Sequence, residues 1–111
     1  MIQIKKADDS FKKEHKIENE AYICVDNTEI LGILNYGTKN DTLMLNNIEY
    51  TDKMLADGLI RQTMSNALDN GCKTCKFSKD LKKIMCSSRI IKDEKCESVD
   101  ILDFFLQINH F

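Results

Sequence analysis

The chain has 111 residues, 42% of them hydrophobic and 31% charged, with a net charge of −2. These values suit one globular domain and exclude a disordered chain. The weak acidity gives no electrostatic case for a nucleic-acid partner, and no apolar run approaches the roughly 20 residues that cross a bilayer.

The N-terminal Met1–Lys6 alternates like a strand and lacks the apolar core of a secretion signal, so cytoplasm is the expected compartment. Asp9-Ser10 can cap a short helix through Lys13, after which a charged stretch to Glu20 reads as a surface connection. Ala21–Val25 is a β-branched and aromatic run ended by Asp26-Asn27. Glu29–Tyr36 follows, and its Ile30–Leu34 segment is apolar on both faces, as in a strand near the middle of a sheet. A turn at Gly37 and Lys39-Asn40-Asp41 leads into Thr42–Tyr50.

That third run changes phase. Leu43 and Leu45 share one alternation, Ile48 and Tyr50 the other, and Asn46-Asn47 sits at the break. One inserted residue flips a strand's alternation, so the pattern predicts a β-bulge there or, failing that, a strand buried on both faces. The strongest helix covers Lys53–Asp69, with Ala56, Leu59, Ile60, Thr63, Met64, Ala67 and Leu68 at helical spacing. Thr51 or Asp52 can cap its start, and Asn70-Gly71 can end it. Thr74–Ser78 reads as a strand, Asp80–Cys86 as a short helix, Arg89–Lys92 as extended and Glu97–Ile101 as a last strand. The apolar Asp103–Leu106 should dock on the core, with Phe104, Phe105 and Phe111 as core or interface anchors and a homodimer contact as one outcome. The expected class is α/β, a mixed sheet with helices covering its faces in one domain, 1–111.

The five cysteines, Cys24, Cys72, Cys75, Cys86 and Cys96, are odd in number, and free thiols are expected. Cys72 and Cys75 form a lone CxxC that follows a helix instead of preceding one, and Cys75 is in phase with Phe77, as a core thiol would be. Cys86 and Cys96 are not paired at zinc-knuckle spacing, so no metal is expected. His15 and His110 have no visible ligand partner, and the Lys5-Lys6 and Lys12-Lys13 pairs read as solvated charge.

The element order over Ala21–Cys86 resembles the acyl-CoA N-acyltransferase (GNAT) superfamily. The segment Ile48-Glu49-Tyr50-Thr51-Asp52-Lys53-Met54-Leu55-Ala56-Asp57-Gly58 is similar to that family's strand, Arg or Gln, two residues, Gly, one residue, Gly or Ala. Lys53 matches the Arg/Gln position, Ala56 and Gly58 the small positions, and Ile48 the last strand aliphatic.

The resemblance implies a GNAT-like sheet with a bulge that splays two strands to admit a pantetheine arm. It implies acetyl-CoA or another acyl-CoA as donor, bound by Ile48, Tyr50 and the Lys53–Gly58 turn including Met54, Leu55, Ala56 and Asp57. Direct transfer to an amine acceptor would use Glu49 or a water as base. The chain departs from that pattern in four places. Asp57 brings a carboxylate into the turn, and Met54 and Leu55 replace slim residues. No Tyr follows Tyr50, so the usual thiolate acid is missing and Cys86 or Ser87 stands nearest. The link between the first two strands has room for one short helix. The alternative is therefore a non-catalytic binding or dimerisation module on the same fold.

Overall fold

The structure is a computed structural model that describes residues 1–108, so Phe111 and His110 lie outside the described residues. The elements run β1 (Ile2–Lys6), α1 (Asp9–Glu14), β2 (Glu20–Asp26), β3 (Glu29–Lys39), β4 (Thr42–Tyr50), α2 (Lys53–Asp69), β5 (Thr74–Phe77), α3 (Lys79–Ser87), β6 (Ser98–Asp100) and α4 (Ile101–Ile108). The six strands lie side by side in sequence order. Every neighbouring pair is antiparallel except β4 and β5, which the α2 crossover makes parallel. The result is the mixed α/β sheet that the sequence implies.

Two-residue turns join β2 to β3 and β3 to β4, and Asn27 and Asn40 adopt positive φ in them, a conformation asparagine tolerates better than most residues. The bulge falls where the alternation breaks. Asn35 pairs with Asn47 and Tyr36 with Leu45, which leaves Asn46 as the inserted residue. Its effect is to keep Leu43, Leu45 and Ile48 on one face of the sheet despite their mismatched spacing, while Met44, Asn47 and Glu49 take the other. A second irregularity inserts Leu31 of β3 opposite the Cys24/Val25 step of β2.

The main core lies between that first face and α2, α3 and α4. Leu34, Leu43, Leu45, Leu59, Ile60, Met64, Leu81, Met85 and Ile101 are fully buried there. Burial of each such side chain contributes about 1.5–3 kcal/mol before entropy is counted. Gly32 makes the close packing of α2 on β3 possible. A Cβ there would meet the Glu49 carbonyl oxygen and Leu59 Cδ2, each at 3.3 Å. On the other face a smaller cluster of Ala7, Ala21, Ile23 and Val25 is covered by Phe11 of α1 and by Ile17. This connection is thus more than a surface strand link, since Asp8 caps a real helix by accepting the Phe11 N–H at 2.8 Å.

Two sequence expectations change at the C-terminal end. Arg89–Lys92 is not a strand. It forms turns after α3, with Ile90 and Ile91 buried and Arg89 at φ 62°. Glu97–Ile101 shortens to Ser98–Asp100, because Ile101 begins α4 and buries on the core together with Phe104. No helix among the described residues is long and apolar enough to cross a membrane.

Candidate functional site at the parting of two strands

The β4–β5 ladder is short. It pairs Thr42–Leu45 with Thr74–Phe77 and stops at the bulge. Ser78 then turns the chain away into α3. Its backbone N–H donates to the Leu45 carbonyl at 2.9 Å and its hydroxyl to the Asn46 carbonyl at 2.6 Å. Beyond that point Asn47–Tyr50 has β3 on one side and no strand on the other. Across the bulge, Asn35 Nδ2 donates to Asn47 Oδ1.

The open edge runs into the start of α2. Asp52 is the N-cap and its carboxylate accepts the Met54 N–H at 2.7 Å. Lys53 is therefore the first helical residue, and the Ala56 N–H already closes the first turn on the Asp52 carbonyl at 3.0 Å. The orphan donors at this helix end are those of Lys53, Met54 and Leu55. Lys53–Gly58 forms the first turns of this helix, at the bounds the sequence implies.

Its small residues face the sheet. Ala56 is fully buried, and a Cβ on Gly58 would point toward Ile4 Cδ1 at 3.6 Å. Asp57 neither blocks the helix end nor caps it. It pairs with Arg61 Nε at 2.7 Å, while Arg61 Nη2 donates to the Ser88 carbonyl at 3.1 Å and the guanidinium lies 5.1 Å from the Phe104 ring centroid. Met54 projects into solvent at 83% exposure, and Leu55 packs partly against the core.

Between the end of β4, the start of α2 and α3 lies a groove of about 410 Å³, lined by Tyr50, Lys53, Asp80, Lys83, Ile84 and Ser87. Tyr50 and Lys53 are residues the sequence singles out, with Ile48 close by in β4. Glu49 is exposed on the opposite face of the sheet, so the groove does not include it. The α3 wall is new. Asp80, Lys83, Ile84 and Ser87 recur at the three- and four-residue spacing of one helix face, and that periodicity was the available signal. Two lysines against one aspartate make the lining net positive, beside a helix N-terminus that carries partial positive charge of its own.

The CxxC cysteines are both buried, and burial raises both thiols. Cys75 is pushed up to about 12, with a smaller contribution from Cys72. Cys75 and Phe77 share the core face, as their phase suggested.

No protein-family model matches the chain, and no curated protein matches it in sequence. Solved structures do. A Bacillus subtilis acetyltransferase in complex with CoA superposes with a TM-score of 0.60 at 14% identity, over 81% of this chain and 74% of that one. A GNAT family acetyltransferase from Brucella melitensis in complex with acetyl-CoA gives 0.55 at 10% identity, over 69% and 75%. A ribosomal-protein-alanine N-acetyltransferase from Escherichia coli gives 0.58 at 13% identity, and this chain spans 66% of its length. At these identities the likeness is one of fold, and the chain has the fold of the GNAT acetyltransferases.

Proposed function

We propose that this chain binds an acyl-CoA thioester where β4 and β5 part and transfers the acyl group to an amine. The observation that carries the reading is the unpaired Asn47–Tyr50 edge leading directly into the N-terminus of α2. An extended pantetheine arm has amides that can bond to such an edge in place of a strand. Its pyrophosphate then meets the Lys53 and Leu55 N–H groups and the Lys53 and Lys83 side chains. The Asp52 carboxylate opposes this by occupying one donor and adding like charge.

In the transfer step the amine nitrogen forms a bond to the thioester carbonyl carbon, and the carbon–sulfur bond breaks. The proton lost by nitrogen goes to water or, through water, to Glu49. The departing thiolate takes a proton from solvent. Titration calorimetry with acetyl-CoA tests the binding half, and no heat at millimolar ligand ends the reading. Turnover should be followed by chromatographic separation of CoA, because the chain's own thiols would consume a thiol reagent.

A second reading is a non-catalytic module that keeps the thioester site. It is favoured by the bare outer face of β4, where Met44, Asn47 and Glu49 are exposed and no helix among the described residues supplies an acceptor wall. Binding of acetyl-CoA without acylation of any member of an amine panel would select it.

A further inference from the structure

At the other end of α2 the helix and sheet enclose a hollow of about 290 Å³ that shares no lining residue with the groove beside α3. Tyr22 and Tyr36 stack along it, ring centroids 5.3 Å apart and planes inclined by 20°. Asn66 Nδ2 donates to the Tyr22 hydroxyl at 2.8 Å. Tyr36 is only 7% exposed and lines the hollow with its side chain hydrogen-bonded to Tyr22, so Asn66, Tyr22 and Tyr36 form a linked polar chain along one wall. Each hydroxyl has one donor and two acceptor sites, so a linked pair at a cavity wall retains hydrogen-bonding capacity for a guest.

The charges decide what guest. Glu20 on the rim is matched by Lys6 and Lys12, each at 3.2 Å, and these partners hold its carboxyl below the usual range. Lys12 also pairs with Asp9 at 3.7 Å, and the charged lining residues, Lys6 and Glu20, cancel, so the hollow carries no net charge. The adjoining helix end is the C-terminus of α2, whose carbonyls disfavour anions. Burial, then Tyr22 and Glu20, raises Tyr36 well above the usual phenol range, so its hydroxyl stays protonated and uncharged at physiological pH. Thr38, Asn66 and Asn70 add groups that both donate and accept. The space equals about ten water volumes, at the lower limit for small-molecule sites.

We infer that this hollow binds a small neutral polyol, of monosaccharide or cyclitol size, through the paired tyrosine hydroxyls and the Asn66–Asn70 amides. The inference stands apart from the acyl-CoA reading, since the two sites use different residues.

Amide chemical-shift titrations with glucose and myo-inositol test it, with putrescine and inorganic phosphate as charged comparators. Saturable shifts are expected at the Asn66 and Asn70 side-chain amides, with dissociation constants in the millimolar range. Tyr36→Phe deletes one oxygen and should weaken binding about tenfold with the remaining spectrum unchanged. Asn70→Ala, at an exposed position, should weaken it as well. The inference is overturned by non-saturable shifts with both neutral probes, by equal or tighter binding of putrescine or phosphate, or by unchanged affinity in both variants.

Discussion

Asp52 serves two purposes with opposite signs, and two substitutions separate them. As N-cap of α2 it satisfies the Met54 N–H at 2.7 Å. Replacing such a cap by alanine costs about 1 kcal/mol, and serine retains most of the cap. For a domain of this size the alanine loss lowers the melting temperature by about 5 °C. On the proposed reading, the Asp52 carboxylate would repel a pyrophosphate bound at this helix end. At about 6 Å, two unit charges repel by about 0.7 kcal/mol in water and more near a protein surface. A doubly charged pyrophosphate doubles this, so removing the carboxylate should tighten CoA binding by about threefold to tenfold at low salt. Asp52→Ala is expected to be less stable and to bind more tightly, while Asp52→Ser binds more tightly at nearly unchanged stability. The gain should shrink at about 1 M salt, where the screening length is about 3 Å. Thermal melts and calorimetric titrations with CoA read both quantities. Unchanged or weaker binding by both variants at low salt would refute the placement of the phosphates at this helix end.

Two further outcomes follow from burial and charge. Brief alkylation of the native protein at pH 8 should modify Cys86 and Cys96, which are partly exposed, and spare Cys24, Cys72 and Cys75, which are buried with raised thiols. Intact mass should show two adducts, and labelling at Cys75 ahead of Cys96 would contradict the packing described. Glu20 should make stability fall in acid. Its folded pKa lies below the ordinary 4.5, so its contribution is present above that pH and is lost as pH falls through the folded value. The effect is small because the group is 41% exposed. Glu20→Gln should narrow the drop in melting temperature between neutral and acid pH, and an unchanged drop would show that the Lys6 and Lys12 pairs contribute nothing.

The parts of the fold written in short-range pattern were legible. The phase change across Asn46-Asn47 located the bulge, because an inserted residue leaves no other trace in a strand's alternation. The extent of α2 was legible from its apolar spacing and its two ends, where Gly71 takes φ +95°. The site was legible in part. The helix start at Lys53 and its cap at Asp52 could be read locally, and in the structure the small residues Ala56 and Gly58 of its first turns face the sheet. The spacing of Asp80, Lys83 and Ser87 puts them on one face of α3, but that this face meets the groove follows only from tertiary packing. Ile90-Ile91 looked extended because β-branched residues favour strands, yet burial beneath the loop after α3 meets the same preference.

The extra residue in β4 has a reach beyond its own strand. The carbonyl of Asn46, released from the ladder, is the acceptor that seats Ser78, and at its far end α3 is tied through the Ser88 carbonyl to Arg61. The groove wall is thus pinned at both ends, once to the interruption that creates the opening and once to the helix that begins it. Opening and wall are consequently one mechanical unit. A one-residue deletion at Asn46 would turn Ile48 and Tyr50 to the opposite face and remove the Asn46 acceptor that seats Ser78 at the start of α3.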